Sequence, residues 1–195
     1  DSFVSRGLGD VYKRQSYNSP LQRGKWDAME GGIRIPFIIS GPKIESNTYS
    51  NVQISFSDLL PTIIDLAGNK KLIDKKLDGG SFKNILYAKK TKVKRNINGL
   101  IFHVPYKNKI ALDRPHSAII LDNMKLIKFY DNNETRLYDL SNDLSESLDL
   151  SSKKIKLARK LEKKLENYLS SVKALKWMPG ITWKKGSISS INSFH

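Results

Sequence analysis

The chain has 195 residues, a formal net charge of +15 and no cysteine. Its length suits one good core, its ordinary apolar content excludes a disordered chain, and no apolar run is long enough to span a bilayer. The missing cysteine excludes disulfides and thiolate metal sites, and no nucleic-acid-binding motif accompanies the positive charge, so its source is either a polyanionic partner or a lysine-rich composition.

Residues 1–15 show neither helical nor strand period. They read as translated sequencing-adaptor sequence and do not enter the fold; without them the net charge is still +14. They contain no apolar stretch of the kind that marks a signal peptide.

The segment Pro20 to Pro42, PLQRGKWDAMEGGIRIPFIISGP, carries the densest pattern in the chain. Lys25 follows Gly24, and a glycine there lets backbone and ligand approach closely. A lysine ammonium is a compact point charge suited to a developing anion, whereas a lone Gly-Lys pair would be one solvated lysine among many. Glu30 and Arg34 are four apart; they either support the lysine loop or form a structural ion pair closing a turn, and the ion pair is the favoured reading. Gly31 and Gly32 are expected to supply positive-φ turn geometry. A strand is expected over Ile33–Ser40, then a turn at Gly41-Pro42.

A helix is predicted from Leu59 to Gly68, capped by Ser57 or Asp58, with Pro61 in its first turn and Gly68 at its end. Leu59, Ile63 and Leu66 share a face and should be core. Leu77 to Ser81 reads as a turn opening a short helix that ends near Leu86, with Asp78 a turn-former. Residues 88–98 form a basic linking loop. Four short strands follow, Leu100–Val104, Ser117–Asp122, Met124–Tyr130 and Thr135–Leu140, with hairpin turns at Asp122-Asn123 and Asp131-Asn132-Asn133. Residues 153–172 form an amphipathic helix with Ile155, Ala158, Leu161, Leu165, Tyr168 and Val172 on one face and lysines on the other. A basic helix of this kind suits a membrane surface, but a nearby sheet gives its apolar stripe a place to be buried. The tail with Trp177, Pro179 and Trp183 is expected to lie over the surface or approach a substrate cleft.

The string GK-x4-EGG-x-R-x-P, from Gly24-Lys25 to Pro36, resembles the type I sulfatases of the alkaline-phosphatase-like superfamily. So do SDLLPTIIDLAG over residues 57–68, the Leu77-Asp78-Gly79 turn, Lys125-Leu126-Ile127, and Leu137-Tyr138-Asp139-Leu140 with Asp143 and Glu146. The resemblance covers Ser16 to about Leu169. It implies an α/β fold: the incomplete C-terminal part of a sulfatase catalytic domain over 16–98, then a subdomain over 99–195 with a small antiparallel sheet of about four strands covered by a long helix. It implies that Lys25 contacts the sulfate being removed. It also implies that His103, in Phe102-His103-Val104-Pro105, contacts sugar or sulfate in the same cleft; the other reading of His103 is a partly buried histidine bonded to backbone. His116 and His195 have weaker cases.

The family's nucleophile is a cysteine or serine in a Cys-x-Pro-Ser-Arg signature, oxidised to formylglycine. The nearest string here, Ser19-Pro20-Leu21-Gln22-Arg23, has the wrong spacing. Calcium and formylglycine are therefore expected in the intact enzyme and not on this chain, which alone is expected to be inactive. The resemblance further implies a sulfated carbohydrate or aryl sulfate substrate and a periplasmic or extracellular location. The alternatives are a phosphate- or phosphonate-ester hydrolase of the same superfamily, or a non-catalytic polyanion-binding module.

Overall fold

The computed structural model describes residues 18–88, 92–97, 99–107 and 114–178. The expectations for residues 1–15, Pro179, Trp183 and His195 lie outside the described residues. Among these, the elements in chain order are α1 (Glu30–Ile33), α2 (Leu59–Leu66), α3 (Lys83–Leu86), β1 (Leu100–Val104), β2 (His116–Leu121), β3 (Met124–Phe129), β4 (Thr135–Asp139) and α4 (Ile155–Ser171). Short 3-10 turns at Phe56–Asp58 and Lys70–Leu72 flank α2.

The chain divides into two compact units. One is Pro36–Leu100; the other joins the chain up to Ile35 with everything from Ile101. The lysine-bearing segment is not part of the Pro36–Leu100 unit. It belongs to the unit that contains the sheet, because buried ion pairs tie it there (see below).

The sheet is a four-stranded meander in the order β1-β2-β3-β4. β2 and β3 are antiparallel with Ile119 opposite Leu126, and β3 and β4 are antiparallel with Leu126 opposite Leu137. Asp122 and Asn133 take φ of 53° and 58° in the two hairpin turns, where short polar side chains tolerate left-handed backbone. One sheet face presents Ile119, Leu126 and Leu137 to Ala158, Leu161 and Leu165 of α4. The other presents Ala118, Ile127, Phe129 and Tyr138 to Ala28 and Met29. Fully burying one such leucine is worth roughly 1.5–3 kcal/mol, so α4 is held chiefly by its apolar stripe. The ends of that stripe are less covered than expected: Ile155 and Val172 are 51% and 50% exposed, since both lie at the helix termini beyond the sheet's reach. No described helix is long and apolar enough to cross a membrane.

In the other unit, Asp58 holds the N-cap position of α2, as expected, but its side chain makes no cap bond there. The capping box belongs to the preceding 3-10 turn, where Ser55 Oγ accepts from the Ser57 amide and Asp58 Oδ2 accepts from the Ser55 amide at 2.8 Å. Asp58 is fully buried and takes a two-pronged contact from Arg95, at 2.8 Å to Oδ1 and 2.6 Å to Oδ2. Gly68 ends α2 at φ 83°, as expected. The expected core face of α2 is not buried, however. Ile63 and Leu66 are exposed and Leu59 is half-buried, while Pro61, Thr62 and Asp65 face inward. The inward face is knitted by polar bonds: Thr62 Oγ1 accepts from the Phe82 amide, and Ser81 donates to Asp65. Nor does the expected strand Ile33–Ser40 form. Ile33 closes α1, and residues 34–41 carry no strand pairing. A strand needs a hydrogen-bonded neighbour, and none of the described residues supplies one. Ile35, Phe37, Ile38 and Ile39 are left exposed.

Candidate functional site

Lys25 lies on an exposed loop, with its ammonium 5.1 Å from the centre of the Trp26 ring. The residues on either side of Gly24-Lys25 are held in left-handed backbone, Arg23 at φ 65° and Trp26 at φ 83°. For residues with a Cβ such conformations cost of order 1–3 kcal/mol and persist only where the surroundings impose them. The surroundings here are α1. Gly31 and Gly32 are not positive-φ turn residues, contrary to expectation; they are helical, and their role is close approach. A Cβ on Gly31 would run into the carbonyl oxygens of Arg23 and Gln22, and one on Gly32 into those of Asp27 and Gly24. The two glycines let the backbone of the lysine loop lie directly against the helix.

From Ala28 to Gly31 each amide is taken by a defined acceptor. Ala28 N–H donates to His116 Nε2 at 2.9 Å, and Met29 N–H to Asp27 Oδ1 at 2.8 Å. Glu30 N–H donates to Glu146 Oε2 at 2.7 Å, and Gly31 N–H to the Gln22 carbonyl at 2.9 Å. Beneath them lies a buried charge cluster. Lys125, with no exposed surface, places its ammonium 2.8 Å from Glu30 Oε1 and 2.7 Å from Glu146 Oε1. Arg34 pairs with the other Glu30 oxygen. Two carboxylates thus face two cations, and the favoured reading of Glu30 and Arg34 as an ion pair is seen, widened by two partners. Lys125 and Glu146 sit in strings that the sequence marks only by family resemblance; their burial had no local signal.

Burial sets the protonation of this layer. It pushes the Asp27 carboxyl up to about 6, against its bond from Met29 and the attraction of Arg23. Asp27 Oδ2 is buried without a hydrogen-bond partner. Burial raises the Glu146 carboxyl and lowers the His116 imidazole. The hydrogen bonds fix the His116 tautomer: Nε2 must accept from Ala28, so Nδ1 carries the proton and donates it to the Arg114 carbonyl at 2.7 Å.

His103 lies elsewhere. Its Nδ1 is 2.5 Å from Ser117 Oγ and its Nε2 2.8 Å from the Leu175 carbonyl, just past α4. Alternation along β1 puts Ile101 and His103 on the α4 face of the sheet and Phe102 on the face that holds Ala28 and Met29. His103 thus lies on the sheet face opposite the one that holds Ala28 and Met29, which follow Lys25. Both ring nitrogens are spent within the fold, and burial lowers the pKa of the ring.

Among the described residues no group of three or more His, Asp or Glu is placed to hold a metal ion. With no cysteine in the sequence, the chain offers no precursor of a formylglycine of the cysteine type.

Comparison with known proteins gives four findings. A family model described as N-sulphoglucosamine sulphohydrolase, C-terminal, matches residues 25–174. A protein named Sulfatase from Formosa agariphila is 33% identical over 166 residues, covering 78% of this chain and 30% of that protein. An Ulvan-active sulfatase from the same organism is 35% identical over 78 residues, covering 40% of this chain and 15% of that protein. Among solved structures, Ps i-CgsB in complex with k-i-k-neocarrahexaose superposes with a TM-score of 0.65 at 22% identity, covering 90% of this chain and 36% of that one. That likeness is one of fold. The chain spans 30% of the length of the first of these relatives.

Proposed function

The chain belongs to the family of the N-sulphoglucosamine sulphohydrolase C-terminal region, and on that premise we propose that it is the C-terminal part of a sulfuric-ester hydrolase in which Lys25 binds the sulfate being removed. Hydrolysis of a sulfate monoester breaks a sulfur–oxygen bond, and negative charge grows on the bridging oxygen as the alcohol leaves. An ammonium fixed near that oxygen stabilises the transition state more than the ground state. The observation that carries this reading is the backbone around Lys25: a tryptophan and an arginine held at positive φ on either side of Gly24-Lys25. Such strain suits a side chain that must point one way, and a solvated lysine would not require it.

A sulfated carbohydrate is the proposed substrate. The similarity to an ulvan-active sulfatase supports it, as does the charge of +15, which draws in polyanions. The relatives favour sulfuric over phosphoric esters. Without a nucleophile the chain by itself is proposed to be inactive. The test is Lys25→Ala in the intact enzyme, assayed with an aryl sulfate. Loss of one preorganised charge-stabilising donor lowers kcat by about a hundredfold or more, with the melting temperature little changed. A variant with unchanged kcat, or one that merely fails to fold, would remove Lys25 from the reaction.

A further inference from the structure

We propose that His116 is a positioning residue for Lys25. It holds the lysine-bearing segment on the small sheet by accepting the Ala28 N–H, three residues after the lysine. This rests on the reading of Lys25 given above. The geometry supporting it is specific. His116 is 2% exposed and starts β2, on the sheet face that presents Ala118, Ile127 and Phe129 to Ala28 and Met29. Its ring is fixed at both nitrogens, by the Arg114 carbonyl at Nδ1 and the Ala28 amide at Nε2. It also lies 5.9 Å, centre to centre, from the Phe129 ring. Ala28 is fully buried, so water cannot take over its N–H if the ring is lost.

The bond links two parts of the chain that are 88 positions apart. The neighbouring link, from the Glu30 amide to Glu146, spans 116. Between them they fix where α1 begins, and Gly31 and Gly32 in turn carry the carbonyls of the lysine loop on their bare surface. A shift of the Ala28 amide would therefore be passed across the three positions that separate it from Lys25, in a loop whose backbone rests on α1. Catalytic groups tolerate little displacement: about 1 Å can cost a hundredfold.

The experiment uses the full-length enzyme with His116→Ala, His116→Gln, His116→Leu and Lys25→Ala, alone and with each His116 variant combined with Lys25→Ala. An aryl sulfate is the substrate, and kcat, KM and melting temperature are read. His116→Ala lowers kcat by about tenfold to a hundredfold, the range seen when a supporting hydrogen bond is removed, while KM moves less. His116→Gln, whose amide oxygen can accept the same N–H, recovers most of that loss. His116→Leu keeps the packing on Phe129 without the acceptor and behaves like alanine; it carries the test if the alanine protein does not fold. In the Lys25→Ala background the His116 variants cost nothing further. Normal kcat with a lowered melting temperature would overturn the positioning role and leave Lys25 untouched. So would a loss that adds in full to that of Lys25→Ala. If Lys25→Ala itself retains kcat, the reading of Lys25 falls first, and the proposal for His116 falls with it.

Discussion

Asp27→Asn should stabilise the protein at neutral pH relative to its effect in acid. Asp27 is 5% exposed, and one carboxylate oxygen has no hydrogen-bond partner. Burial outweighs the attraction of Arg23 and Lys125 and lifts its carboxyl from 3.8 to about 6. A carboxyl whose folded pKa lies above its unfolded one binds its proton more tightly in the folded state. Its contribution to stability is thus full below about pH 3.8, is lost as pH rises towards about 6, and is absent above. A shift of roughly two units, at about 1.36 kcal/mol each, gives a loss approaching 3 kcal/mol by pH 7. Asparagine has the same shape and does not titrate. The variant-minus-wild-type difference should therefore grow by up to about 3 kcal/mol between pH 4 and pH 7. Any cost of burying the amide N–H2 is independent of pH and displaces both ends equally. Urea unfolding of both proteins at three pH values across this window measures it. A difference that is flat with pH, or that grows towards acid, would show that Asp27 is not a charged group held in a poorly solvating site.

Two further outcomes follow from the charge cluster and from β1. Lys125→Met leaves Glu30 and Glu146 buried against each other and should destabilise by about 3–5 kcal/mol; the same unfolding assay reads it, and a loss below 1 kcal/mol would mean that solvent already reaches the pair. His103→Ala should lower the melting temperature while leaving the ratio of KM values for a sulfated polymer and an aryl sulfate unchanged, because both nitrogens of His103 are bonded within the fold. A KM raised for the polymer alone would restore the sugar contact first expected of it.

The sheet was legible because its signals are local. Alternating apolar residues and the Asp122-Asn123 and Asp131-Asn132-Asn133 turns place all four strands to within one residue. The long helix was legible for the same reason, since a period of 3.6 needs no knowledge of what it covers. The segment Ile33–Ser40 shows the limit of that reasoning. Apolar composition says that a stretch wants burial, and it does not say that a partner strand is present. The face of α2 is a similar case: Ile63 and Leu66 have the composition of a core, but no described residue of their own unit covers them.

The candidate site was legible only as far as Lys25, Glu30 and Arg34, which one string contains. The residues that hold this string in place come from far along the chain. Lys125 reads as a polar position in a strand, yet it is fully buried because Glu30, 95 positions away, and Glu146 meet it there. His116 reads as a weak site candidate just before a strand, yet it takes the amide of Ala28. No periodicity could show these pairings, since each depends on which face of the sheet the lysine segment lies against. The two glycines of the string were seen but their purpose was misread, for the same reason. They matter less for their own φ than for the carbonyls of Arg23, Gln22, Asp27 and Gly24 that rest on them. A loop that must carry two non-glycine residues at positive φ cannot hold itself. The energy that keeps Arg23 and Trp26 in place has to come from contacts outside the loop, and the structure supplies those contacts through α1 from β2, β3 and Glu146. The small sheet is then more than a cover for α4: one face secures the fold, and the other fixes the position of the lysine.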